Sequence, residues 1–214
     1  MSKHLNIEYS TFPYEHAICD GAIPQKVSEQ LIGYARNIPE ESIDFCRNGE
    51  EQDNTQMWNN SEGINGIHPE FHDNIRFAMD KLSQLFDDYD SQNRSWAHTL
   101  CETNRNFGNF LTPHTDDPVE MAKRNPQMPT SNIKALLYLA EPKVTYRGYG
   151  TKLYMNRDRS SFIKEVEFVE CRLFMWKTGP NSWHGTDFVN GLPERRLFYT
   201  GEYMPISFSE GKHG

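Results

Sequence analysis

The sequence predicts a mainly β fold, a sandwich or barrel with supporting helices, and three observations predict it. From residue 96 the chain breaks into short strand-like runs, at 96–103, 132–140, 151–155, 162–169, 170–176, 183–189 and 195–204, separated by turn signals. Long helical periodicity is confined to two earlier stretches. Phe, Tyr and Trp make up 13% of the 214 residues, and such large side chains fill the interior of this kind of fold. One domain, 1–214, follows from the length, with N-terminal strands and supporting helices over 1–95 and the β core over 96–204.

In chain order, Leu5-Asn6-Ile7-Glu8-Tyr9 alternates as a strand does, and Phe12-Pro13-Tyr14 through Ile18 continues the extended character to Asp20-Gly21. Pro24 opens a helix to Asn37, with Val27, Leu31, Ile32 and Ala35 on one side and Pro39 blocking extension. Residues 40–65 turn to Glu, Asp, Asn and Gly and read as an irregular acidic segment. Pro69 to Tyr89 reads as a second helix, because Phe71, Ile75, Ala78, Met79, Leu82, Leu85 and Phe86 recur at helical spacing. Residues 117–130, with a short helical piece at Val119–Lys123, interrupt the strands, as a lid or as a plain surface connection.

Charge and composition narrow the function. A net charge of −8 gives phosphate backbones no general attraction, which argues against a nucleic-acid partner. Cys19, Cys46, Cys101 and Cys171 are far apart and form no zinc or disulfide pattern. Met1–Ser10 lacks the apolar core of a signal peptide, and no apolar run is long enough to span a bilayer. The expectation is a soluble, cytoplasmic protein without membrane contact.

Chemistry concentrates in two words. In Phe107-Gly108-Asn109-Phe110-Leu111-Thr112-Pro113-His114-Thr115-Asp116, His114 and Asp116 are two apart, so on extended backbone both side chains leave one face and can meet one ion. A third ligand from a second segment would complete two neutral imidazoles and a carboxylate on one triangular face of an octahedron, the set suited to non-haem Fe(II) and oxygen. His184, in Asn181-Ser182-Trp183-His184-Gly185, follows a strand-like run and a Gly-Pro turn and is the candidate. His68 and His72 share a helical spacing but lack the glutamate and third ligand of a zinc site, and His4, His16, His98 and His213 have no partner at ligand spacing.

With these residues in view, the chain resembles the Fe(II)/2-oxoglutarate-dependent dioxygenases, in their prolyl 4-hydroxylase-like branch. Gly108, Phe110 and Leu111 lead into His-x-Asp as in that family. Ala135-Leu136-Leu137-Tyr138-Leu139, Gly148-Tyr149-Gly150-Thr151-Lys152-Leu153-Tyr154, Phe174-Met175-Trp176, His184 and Arg195-Arg196 follow in the family's order, over roughly residues 100 to 204.

The resemblance implies a double-stranded β-helix, the cupin-like jelly roll. It implies Fe(II) held by the catalytic and metal-binding set His114, Asp116 and His184. It also implies 2-oxoglutarate and O2 as co-substrates, and leaves room for ascorbate as a reductant. Because Asp116 is present, the site is unlike the Gly- or Ala-substituted one of related halogenases.

For the far carboxylate of 2-oxoglutarate the resemblance implies a basic residue on the last strand, with Tyr138 as hydrogen-bond partner and Leu136 as lining. Arg195 and Arg196 compete for it. Thr200, four after Arg196, stands where the family has an inward hydroxyl and favours Arg196; an Arg-x-Ser wording selects Arg195, with Leu197 in place of Ser. Thr112, Asn106 and Trp183 flank the metal words, while Trp176 is expected to pack in the core.

The implied reaction is hydroxylation of a C–H bond in an amino-acid-like or peptidyl substrate, with proline the first candidate, releasing succinate and CO2. Two alternatives stay open: a non-catalytic cupin-like jelly roll that binds a metal or ligand, and an iron dioxygenase without a keto acid. Residues 40–65 and 117–131, which would touch substrate, carry no readable pattern, and oligomeric state is likewise unread.

Overall fold

The computed structural model describes residues 5–37, 55–58, 71–103, 112–124, 126, 130–142, 148–187 and 196–206. The predicted features at Cys46, Asn106, Phe107–Leu111 and Arg195, and the irregular segment apart from 55–58, lie outside these residues. The strands are β1 (Asn6–Ser10), β2 (His16–Asp20), β3 (Thr55–Trp58), β4 (Arg94–Thr103), β5 (Ile133–Tyr138), β6 (Thr151–Tyr154), β7 (Phe162–Val166), β8 (Leu173–Lys177), β9 (His184–Gly185) and β10 (Leu197–Pro205). Among the described residues the α-helices are α1 (Gln25–Asn37), α2 (Phe71–Ser83) and α3 (Pro118–Arg124).

Among the described residues two antiparallel sheets form, one ordered β1-β2-β8-β5-β10-β4-β3 and the other β7-β6-β9. This mainly β, two-sheet arrangement is the double-stranded β-helix that the resemblance implied.

Period-2 alternation sorts the large sheet into two faces. On the outer face Ala17, Cys19, Ile133, Ala135, Leu137, Leu173, Met175, Leu197, Tyr199 and Tyr203 join one buried cluster with helix residues Val27, Leu31, Ile32 and Ala35 of α1 and Ile75, Ala78, Met79 and Leu82 of α2. Each fully buried Leu, Ile or Met contributes about 1.5–3 kcal/mol there. Gly201 shares that face, and a Cβ on it would meet Met79 and Trp96, so its lack of a side chain lets α2 lie close.

The inner face is read across the register. His16 of β2, Trp176 of β8, Lys134 of β5 and Glu202 of β10 pair directly in one transverse row. One step along, Ile18, Phe174, Leu136 and Thr200 form a second row. Tyr138 and Phe198 begin the third. Directly paired residues share a face, so the inner wall is polar at one end, mainly apolar in the middle and polar again toward Tyr138.

Two expectations need correction. The second helix stops at Ser83, not Tyr89: the chain passes into tight turns, with amide bonds from Leu85 to Leu82, Phe86 to Ser83 and Tyr89 to Phe86. Phe86 is buried through that turn, whereas Leu85 faces solvent, so their apolar spacing imitates another helical turn. The acidic segment is also not wholly irregular, because Thr55–Trp58 pairs antiparallel with β4 at the sheet edge. A four-residue edge strand leaves too short an alternation to read.

Candidate active site

His114 and His184 face each other as an isolated antiparallel bridge. Each amide donates to the other's carbonyl at 2.9 Å, which brings the two rings to a centroid separation of 4.3 Å. Each ring is also set by its own segment: His114 Nδ1 donates to Thr112 O at 2.9 Å and His184 Nδ1 donates to Ser182 O at 2.8 Å. A carbonyl can only accept, so in the neutral ring Nδ1 carries the proton and Nε2 keeps its lone pair.

Asp116 completes the group, with Oδ2 at 3.3 Å from His184 Nε2 and Oδ1 at 4.0 Å from His114 Nε2. One ligand atom from each of the three lies within 4.8 Å of the others. Burial, with His184 adding to it, pushes the His114 imidazole down to about 4 against the opposing pull of Asp116. Burial raises the Asp116 carboxyl, but Lys134 and His184 outweigh it and hold the group well below the usual carboxylate range. Three lone-pair donors therefore converge, an arrangement that calls for a cation or a proton between them. Two imidazole nitrogens oriented by carbonyls and one carboxylate fit a divalent transition metal.

The first inner row lies beside this group. The Trp176 ring is 4.9 Å from that of His184. Lys134 Nζ is 3.3 Å from Asp116 Oδ1 and 3.1 Å from Glu202 Oε1. Burial opposes the lysine charge, yet the two carboxylates prevail and keep it protonated.

At the other end of the inner face, Arg196 is 4% exposed. Its Nε donates to Tyr149 O at 2.6 Å, and its guanidinium lies 4.8 Å from the Phe198 ring and 5.5 Å from that of Phe168. Tyr138, fully buried, donates its hydroxyl to Thr151 Oγ1 at 2.7 Å. Burial raises the Tyr138 hydroxyl while Arg196 opposes the rise, so the two groups share a field. Leu136, Phe174 and Ile18 separate this end from the triad.

The structure thus brings His114, Asp116 and His184 together, and sets Tyr138, Leu136 and Arg196 along one inner wall. Trp176 is buried as expected, stacked on Phe174 at 4.9 Å, but it also borders the triad. The sequence reading missed Lys134, Glu202, Tyr149 and Thr151. Lys134 is in phase with Leu136 and Tyr138 on one strand, a signal that strict alternation would have exposed. Tyr14 was missed too: its hydroxyl is buried without a hydrogen-bond partner among the described residues and senses both Asp116 and Tyr138. Only tertiary structure reveals that.

The sequence matches no family model and no curated protein. Solved structures are similar in fold. A prolyl-4-hydroxylase from Pseudomonas putida superposes with a TM-score of 0.60 at 16% identity, covering 89% of this chain and 92% of its own. A prolyl hydroxylase from Trichoplax adhaerens, in complex with a hypoxia inducible factor oxygen degradation domain peptide fragment, gives 0.60 at 14% identity, with 92% and 84% covered. HygX from Streptomyces hygroscopicus, with nickel and 2-oxoglutarate bound, gives 0.56 at 13% identity, with 90% and 84% covered. At such identities the likeness is one of fold.

Proposed function

We propose that this protein is an Fe(II)- and 2-oxoglutarate-dependent dioxygenase that hydroxylates a C–H bond of an amino-acid-like or peptidyl substrate, prolyl residues being the first to try. The observation that carries this reading is the polarity of the inner wall: a metal-ligand triad at one end, an apolar row, then a buried arginine and tyrosine at the other. A ligand with two anionic ends and methylenes between them matches that order. In the balanced reaction, substrate C–H, O2 and 2-oxoglutarate give C–OH, succinate and CO2, with one oxygen atom entering each of the first two products.

Fe(II) held by His114, Asp116 and His184 would supply the oxygen chemistry that side chains lack. The chain's own residues supply the rest. Thr112 and Ser182 carbonyls accept from the two Nδ1 atoms and so leave each Nε2 as the nitrogen turned to the metal, and Lys134 keeps Asp116 ionised. Arg196, with its planar fork, would pair the far carboxylate of 2-oxoglutarate, where an unpaired buried charge would be costly. Tyr138 and Thr151 would hydrogen-bond the same group, and Leu136 and Phe174 would pack on its methylenes and exclude water.

Two relatives in fold support this reading through what they hold, nickel with 2-oxoglutarate in one and a peptide in the other. A cytoplasmic setting, where Fe(II) and thiols stay reduced, belongs to the same proposal and agrees with Cys19 and Cys171 being buried and unbridged. Among the described residues no helix is long and apolar enough to cross a membrane.

The test is succinate release coupled to oxygen uptake, with Fe(II) and ascorbate present, across free amino acids, peptides and cell extract. Mass spectrometry then locates the gain of one oxygen. Bound iron with no succinate across that panel would favour the non-catalytic binder, and turnover independent of 2-oxoglutarate would favour the dioxygenase without a keto acid.

A further inference from the structure

The Asp116 carboxylate has two oxygens in different settings. Oδ2 is near His184 Nε2, at 3.3 Å, while Oδ1, 4.0 Å from His114 Nε2, is taken by Lys134 Nζ at 3.3 Å. Lys134 is in turn held from its other side by Glu202 Oε1 at 3.1 Å. Asp116 and Lys134 are largely enclosed, with exposures of 14% and 20%, and Glu202 is partly exposed at 34%.

We infer that Lys134, braced by Glu202, occupies Asp116 Oδ1 and so restricts the carboxylate to one metal-binding oxygen, Oδ2. The inference rests on reading the triad as a metal centre, and it gives Lys134 a positioning role. A carboxylate with both oxygens free readily binds a divalent ion through both. In a site with three protein ligands, that second bond would take a position needed by a chelating keto acid or by oxygen.

The location of the lysine supports this role. It stands in an otherwise apolar strand, Ile133–Tyr138, at an inward position beside Trp176. A buried ion pair stabilises no better than a packed apolar pair of similar volume, so stability alone does not explain a lysine there. Glu202 lies directly across from it on β10, in the register that joins the two strands, so the brace is built into the sheet.

The experiment counts water on Mn(II) bound to the triad, by proton relaxation, without any co-substrate. The wild type should show about three exchangeable waters and Lys134→Met about two, because the freed Oδ1 joins the metal. Lys134→Arg, which keeps a cationic donor, should return the count toward the wild type. A purely structural lysine would change thermal stability but not the water count. An unchanged count in folded, Mn(II)-loaded Lys134→Met overturns the inference. If that variant does not fold, Glu202→Gln takes its place: a count below the wild type supports the brace, and an unchanged one overturns it. Absence of Mn(II) binding in the wild type would overturn the metal reading itself, and the positioning role with it.

Discussion

His114 and His184 hold each other through the main chain, amide to carbonyl in both directions at 2.9 Å. The bridge is independent of the imidazoles, so a ring can be removed without unfastening the two segments. His184→Ala should therefore keep the wild-type far-ultraviolet circular dichroism. It should lose metal affinity by more than about 100-fold, beyond the range seen when only a ligand's supporting partner is changed. Equilibrium dialysis with Mn(II) or Co(II) measures it. Affinity within tenfold of the wild type would remove His184 from the ligand set.

Arg196 and Tyr138 should separate co-substrate binding from metal binding. Charge-assisted hydrogen bonds contribute about 1.5–3 kcal/mol, so Arg196→Met should weaken 2-oxoglutarate by roughly 10- to 100-fold, with metal affinity unchanged. Tyr138→Phe keeps the ring packed on Phe168 and removes one hydroxyl donor to that carboxylate, costing about 1.5 kcal/mol or roughly tenfold. Calorimetric titration of the metal-loaded, oxygen-free protein reads both. Equal affinities in wild type and Arg196→Met would move the carboxylate site elsewhere.

How much of this was legible beforehand varies with the physics behind each feature. The first helix was readable because Val27, Leu31, Ile32 and Ala35 repeat at helical spacing, and all four are buried. That His114 and Asp116 meet was readable because His-x-Asp on extended backbone puts both side chains on one face. Arg196, which strand phase favoured, is in step with Phe198, Thr200 and Glu202 on the inner wall and is buried, while Arg195 lies outside the described residues. Lys134 stayed hidden because a charge within an apolar strand reads as a solvent-facing position. Thr55–Trp58 stayed hidden because pairing with β4, rather than its own composition, makes it a strand.

His16 should make the metal-free protein less stable in mild acid. Its ring is 1% exposed, and burial pushes its pKa below 6.5, with Lys164 adding to the shift and the Tyr14 carbonyl and Glu8 opposing it. The unfolded chain then takes up a proton at higher pH than the native one. Stability is complete above about 6.5 and falls as pH drops toward the depressed native value. His16→Asn keeps a donor for the Tyr14 carbonyl, to which Nδ1 donates at 2.8 Å, but does not titrate. Urea midpoints at several pH values from about 7.5 to 5 should fall less steeply for this variant. Parallel slopes would show that the ring is not the titrating group.

Gly150 should tolerate no side chain, and the consequence should reach the Arg196 end of the inner wall. A Cβ there would meet the Val166 carbonyl and the Glu165 side chain closer than real Cβ atoms approach. Its own amide donates to Glu165 Oε1 at 3.2 Å, so the clash falls where β6 and β7 join. The residues on either side, Tyr149 and Thr151, accept from Arg196 and Tyr138. Gly150→Ala should thus cost at least about 2 kcal/mol and weaken 2-oxoglutarate more than it weakens metal binding. Gly33 in α1 is the control, because a Cβ there meets nothing within 4 Å. Gly33→Ala should stabilise by roughly 0.4–1 kcal/mol through the less disordered unfolded chain. Urea unfolding of the two variants decides it: equal stabilities would mean that β6 and β7 can part at Gly150 without cost, and that the close approach does not support the Arg196 end of the inner wall.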